Sequence, residues 1–323
     1  MAVPVLISTG FCKDTICEGT NYEFQFDEPK WSGTVHAEYR GGSRHVGKYG
    51  ATIPLTQDET SLLFLDFRGR FDDDGVVNFL DRNFETQEYN LGLVYRKILD
   101  SKQILGVYGF YDFKTDDTSN EFHQGTLGVE LLGTCWDFRV NGYLPTDLGR
   151  EDAGQAPIFG QRFEERALWG VDYEVGRLLG TFGESCHELR AFAGGYFFDS
   201  YAAGFPQLAG PRVRLEMRLF DLAFLGDGSR LTASAEFQHD DVRDSQGFGG
   251  IQVQIPLGKG KRDSGAPCLT PLQRRMLDPV VRDIDIITML RTTGNPNGGN
   301  GGTNGGNGGT NGGNGGTNGG GLP

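Results

Sequence analysis

No apolar run in this chain approaches the roughly 20 residues that a membrane-crossing helix needs, which excludes a helical membrane protein. Basic residues are also short: 30 Lys and Arg face 43 Asp and Glu, a net charge of -13. That balance argues against nucleic acid as a partner, because such binding depends on neutralising phosphates. Five cysteines are present, at 12, 17, 135, 186 and 268. Cys12 and Cys17 are close enough to pair locally, their spacing fits no common metal pattern, and no His sits beside either, so no metal or other cofactor is expected. An odd count in an oxidising compartment leaves one thiol free or intermolecular. The first ten residues carry a short apolar patch without a basic leader, and so do not read as the secretory signal expected of an exported protein.

The shortage of long apolar runs says nothing against strands, of which only alternate residues need face lipid. Alternation is abundant. Tyr89, Leu91, Leu93 and Tyr95 fall on one side of a strand, and Asn90, Gly92, Val94 and Arg96 on the other. Trp136, Phe138, Val140 and Leu144 alternate in the same way with Asp137, Arg139, Asn141 and Tyr143. Similar segments are read at 33–40, 48–56, 61–71, 103–113, 122–132, 165–175, 188–198, 212–220, 230–238 and 250–257, twelve strands in all.

Closing these ribbons into a barrel gives a greasy exterior and a polar interior. The residues expected to face that lumen are Asp66, Arg68, Glu130, Arg139, Arg214, Glu216 and Arg218. Trp31, Trp136, Trp169, Tyr39 and Tyr95 lie near strand ends, where the aromatic girdles of membrane barrels sit. Connections after strands three, five, seven and nine are mostly long and those after two, four and six short, which puts the long set outside the cell and both barrel ends on the periplasmic side. Residues 176–187 are expected as a long periplasmic turn against that pattern, and 41–47 as a short outer loop. The alternative is a soluble β-sandwich, which alternates equally well.

The chain divides into an N-terminal arm (1–30), the barrel (31–258), a linker and following segment (259–294) and a Gly/Asn-rich tail (295–323). Thr270-Pro271 is a helix start and Asp278-Pro279 a break. Periodicity over 280–291 fits a helix or an extended strand. Arg274, Arg275 and Arg282 either pair with acidic lumen residues or belong to a solvated tail. The NGGNGGT repeat cannot bury a core and reads as flexible linker. His239, Asp240 and Asp241 at a strand top are a candidate for activating water, but no Ser lies in a nucleophile motif, and no enzyme is expected.

Five stretches, LFLDFRGRFDDD (63–74), NLGLVYR (90–96), LGVYGFYD (105–112), LGVEL (127–131) and VNGYLP (140–145), stand in an order that resembles the translocation barrel of the intimin/invasin family, the inverse autotransporters. PVVRDIDII (279–287) resembles the segment that follows the last strand in that family. The resemblance implies an all-β fold: a monomeric, twelve-stranded antiparallel transmembrane β-barrel of the bacterial outer membrane, with a C-terminal segment threaded through the pore. By carry-over Arg274, Arg275, Arg282 and Asp283 belong to the threaded segment, and the tail reaches the cell surface. The implied partners are outer-membrane lipid, the barrel-assembly machinery and periplasmic chaperones. A passenger, often an adhesin, would meet any host or cell-surface receptor; the Gly/Asn repeat stands where it should begin. A stand-alone porin-like channel is the competing reading of the same barrel.

Overall fold

Alternating strands become one closed sheet. The structure, a computed structural model, describes residues 30–73, 86–100, 102–116, 119–146, 151–155, 162–183, 185–222, 224–226, 228–257, 269–283 and 285–293. The arm before Lys30, the linker as far as 268, the Gly/Asn tail, and Cys12, Cys17 and Cys268 lie outside them. Cys135 is held in a disulfide.

The strands are β1 (Thr34–Gly42), β2 (His45–Gln57), β3 (Ser61–Asp73), β4 (Thr86–Asp100), β5 (Gln103–Thr115), β6 (Glu121–Gly133), β7 (Trp136–Pro145), β8 (Glu151–Gln155), β9 (Arg162–Ala167), β10 (Trp169–Phe182), β11 (His187–Asp199), β12 (Leu208–Phe220), β13 (Arg230–Asp240), β14 (Asp244–Pro256) and β15 (Thr288–Thr293). A single helical turn, α1, spans Pro271–Arg274. Twelve strands, β1–β7 and β10–β14, form a closed antiparallel barrel. Its seam is β1 on β14, running from Thr34 opposite Pro256 to Gly42 opposite Phe248. Closure removes the edges that an open sheet of this length would expose.

The sandwich alternative fails here. The sheet closes on itself, and the apolar side faces outward: Leu127 and Val140 are 65% and 56% exposed, while Asp137 on the other face is fully buried. Inward side chains are not all polar, however. Leu62, Phe64, Val94, Ile104 and Leu132 form an apolar cluster inside, with Leu272, Met276 and Val280 packed into it. Four inward aromatic rings lie directly across from glycines: Phe110 from Gly92, Tyr108 from Gly128, Phe192 from Gly176 and Phe198 from Gly170. A Cβ at Gly128 would come within 2.1 Å of the Tyr108 ring, so glycine there makes room for the aromatic.

The strand ends differ in detail from expectation. β10 continues to Phe182, so the expected long turn at 176–187 shrinks to 183–186; Gly176 stays in the ladder, paired with Phe192. The expected strand over 165–175, with Ala167 outward, breaks at Leu168. Residues before the break instead form a three-stranded sheet, β15-β9-β8, and Ala167 is buried. Leu168 N donates to Ile287 O (2.9 Å), so the break is where the chain turns to pair with a distant segment. At one end of the barrel the connections are 58–60, 101–102, 134–135, 183–186 and 221–229; at the other they include 74–85, 146–168 and 200–207.

Candidate functional site

The site grows from the TPLQ sequence at 270–273. Thr270 Oγ1 accepts from Gln273 N (3.2 Å), Gln273 Oε1 accepts from Thr270 N (3.0 Å), and Pro271 occupies the first turn. This reciprocal cap starts the helix. A 3₁₀ turn follows over Arg275–Leu277, and Pro279 ends it because it brings no N–H.

From Arg275 to Ile286 the described backbone lies outside any strand ladder. Barrel side chains supply its partners. Arg96 Nη1 donates to the carbonyls of Arg275 (3.1 Å), Met276 (3.0 Å) and Asp278 (2.7 Å). Gln254 donates to Leu277 O (2.9 Å), Arg68 to Val280 O (2.7 Å) and Lys114 to Ile286 O (2.9 Å). Tyr143 Oη accepts from Asp283 N (2.7 Å), and Glu88 from Ile286 N (3.1 Å). Buried backbone groups must be satisfied, and irregular backbone at membrane depth persists only where protein satisfies it.

Charges pair along the same segment. Arg275 grips Asp137 with two parallel bonds of 2.7 and 2.8 Å. Asp278 accepts from Arg230, and from Arg218 at 3.4 Å. Arg282 grips Asp112 at 2.6 and 3.1 Å. Asp285 faces Arg70 (2.6 Å) and Arg44 (3.0 Å). The planar guanidinium fork matches a carboxylate, which favours Arg over Lys for such pairs. In β15, Arg291 meets Glu164 at 2.6 Å while the backbone pairs with β9. Beside the segment a cavity of 730 Å³ remains, lined by charged side chains that include Glu38, Arg40, Lys48, Arg212 and Glu236. Among the described residues no cluster of His, Cys, Asp and Glu could hold a metal ion.

The family called inverse autotransporter, beta-domain, matches residues 33–194, half of the chain. The chain belongs to this family. It is therefore a bacterial outer-membrane β-barrel of the inverse autotransporter class. Among solved structures it is similar to a chain from a study of the in-meso crystallisation of membrane proteins, at 17% identity and a TM-score of 0.58, over 80% of this chain and 100% of that one. At that identity the likeness speaks for the fold. It is also similar to an outer membrane channel from Pseudomonas putida F1 (12% identity, TM-score 0.47, 73% of this chain and 100% of that one) and to the KdgM porin (8%, 0.41, 70% and 99%). A search of curated proteins found no match.

In this inverse autotransporter barrel, the charges expected to face the lumen are held in ion pairs. Asp66 pairs with Arg68 (2.5 Å), Glu130 with Arg96 (2.7 Å), Glu216 with Arg218 (2.6 Å), and both Arg139 (2.7 Å) and Arg214 (2.6 Å) with Glu174. Arg274 reaches Asp221 at 3.1 Å, and Asp283 approaches Arg212 at 3.8 Å. Trp136, Tyr39 and Tyr95 are exposed on the outer face, and Trp169 makes tilted ring contacts with Phe197 and Tyr201. Trp31 is the exception among the expected interfacial aromatics. It is buried in the inner apolar cluster, where Leu272 and Met276 offer it apolar surface. His239 and Asp240 do not meet as a water-activating pair. As neighbours in a strand they point to opposite faces: His239 is exposed beside Ser245, while the buried Asp240 accepts from Tyr196 and Arg243.

Sequence reasoning did not single out Arg96, Asp112, Asp137 or Asp278. Asp278 lies outside any strand, in the later segment itself; the inward position of Arg96, Asp112 and Asp137 was available from strand parity. Which of them meets the later segment depends on where that segment lies around the wall, and parity carries no such information.

Proposed function

We propose that this barrel is the translocator that anchors a C-terminal passenger and passes it to the cell surface, with residues 31–258 as the barrel and 259–294 leading the chain through its pore to a surface-facing tail. The observation that carries the reading is the order of contacts. Arg274 and Arg275 bond to Asp221 and Asp137, next to the short turns. Arg282 bonds to Asp112 within β5. Asp285 and Ile286 bond to Arg70 and Glu88, next to the long connections, and Arg291 reaches Ala203 O beyond them. A chain whose successive residues meet successive levels of a barrel wall is in the arrangement export requires. The same order of contacts supports the lumen-facing and pore-segment roles proposed for the named charges.

In this reading the barrel performs no catalysis and needs no cofactor. It works as a monomer whose partners are outer-membrane lipid, periplasmic chaperones and the assembly machinery. Adhesion, if the passenger is an adhesin, belongs to the passenger, and a host or cell-surface receptor would meet that passenger alone.

The test is a small folded reporter bearing an epitope, fused after Pro323. Intact cells should bind the antibody and lose the epitope to external protease. A barrel that assembles while its reporter stays protected until the cells are opened would refute the export reading. The competing channel reading is favoured by the 730 Å³ cavity. It requires steady conductance from the full chain.

A further inference from the structure

We propose that the charges of residues 274–285 form a sign code that sets the register at which the exported chain comes to rest, an inference that rests on the reading of this segment as lying in the pore. The segment reads plus, minus, plus, minus at Arg275, Asp278, Arg282 and Asp285, and the wall answers with the opposite signs at Asp137, Arg230, Asp112 and Arg70.

The code punishes displacement. A shift of one residue in one direction sets Asp283 against Asp112; in the other it sets Arg282 where Asp283 now meets Arg212. A shift of three sets Asp278 against Asp137 and Asp285 against Asp112. Each shift also strips wall charges of their partners in a buried setting, where an unpaired charge is costly. A shift of seven is different. It brings Arg282 to Asp137 and Asp285 to Arg230, so opposite charges meet again at these two wall sites, while Asp112 and Arg70 would face Met289 and Thr292. That register satisfies two of the four wall sites and the final register satisfies all four, so the chain is held at the final one. Apolar packing discriminates least at 280–281, where a one-residue slip puts one valine in the other's place.

The experiment uses the full chain in outer-membrane vesicles. Cysteines replace Val281 and Asn141, whose side-chain amide lies 3.4 Å from Val281 O, and a short bis-methanethiosulfonate reagent joins them, with the product mapped by mass spectrometry. In the otherwise native chain the link should form in high yield; no link there would refute the pore reading itself and the code with it. Adding Asp137→Lys and Asp112→Lys should cut the yield by at least about tenfold. Reversing the segment as well, with Arg275→Asp and Arg282→Asp, should restore it. If the lysine pair does not give a heat-modifiable folded barrel, Asp137→Asn with Asp112→Asn serves in its place and should lower the yield in the same direction. An undiminished link in a folded wall variant, or no recovery on reversing the segment, overturns the code while leaving the pore reading intact.

Discussion

The indole nitrogen of Trp31 donates to the carbonyl oxygen of Gln273 across 3.0 Å, tying the lead into β1 to the helix that follows β14. Trp31 N and O are in turn held by the Gln57 amide, at 2.8 and 3.0 Å. One side chain thus links the barrel's entry to the segment after its exit.

Trp31→Ala should cost about 3–5 kcal/mol, because it opens a large hole in the inner apolar cluster. Trp31→Phe should cost less than Trp31→Ala, about 1 kcal/mol of it for the lost indole bond. Urea unfolding of the folded barrel in lipid vesicles measures both. Equal effects would mean that the ring packs against little.

Asp137 and Arg275 should not be equivalent partners. Asp137 is surrounded by Arg275, Arg190 and Arg139. Asp137→Ala leaves these buried cations facing one another and should cost about 3–5 kcal/mol. Arg275→Ala leaves Asp137 bonded to Arg190 and should cost about 1–3 kcal/mol. The same unfolding series ranks them, and a larger loss from Arg275→Ala would contradict the charge geometry.

The outer belt predicts a depth effect. Leu127 sits at the middle of β6, and Leu99 next to the end of β4; both are exposed on the outside. Leu127→Arg should destabilise by about 2–4 kcal/mol and Leu99→Arg by about 0–1. Comparable costs at the two sites would place the hydrocarbon elsewhere.

Removal of residues 269–323 should raise the conductance of single barrels in planar bilayers well above that of the full chain. It empties the space now taken by Leu272, Met276 and Val280 and withdraws the bonds to Arg96 and Asp137. Unchanged conductance would mean that the segment does not obstruct the pore.

The turn between β2 and β3 carries a pH-sensitive link outside the membrane span. Asp58 accepts from the Ser61 hydroxyl and from the N–H groups of Thr60 and Ser61, and these bonds hold its carboxyl well below the usual range. A carboxylate depressed in the folded state stabilises above its unfolded pKa, near 3.9, and loses that contribution as pH falls through the folded value. The carboxyl ¹³C shift of Asp58 should therefore titrate below the midpoint of a free Asp, and Ser61→Ala should move it up. A midpoint at the ordinary value would dismiss the turn's bonds.

Much of this molecule could be read from residue order. Strand existence and facing follow from a two-residue period, which is a local property: Leu91 and Leu93 face out and Val94 and Arg96 face in, whatever surrounds them. Barrel closure was favoured by the polar character of the inner face, and the five quoted stretches pointed to the family that residues 33–194 match. Local rules also placed the helix start at Thr270, because its cap involves only four residues.

What residue order left open was every relationship between distant parts of the chain. Arg282 and Asp112 are separated by 170 positions, and nothing near either one announces the other. Trp31 looks like an interfacial aromatic until Leu272 and Met276 fold over it. Residues 165–167 look like the start of a barrel strand until β15 arrives to pair with them. In each case the deciding free energy comes from removing groups from water together, and that depends on which surfaces the closed sheet brings face to face.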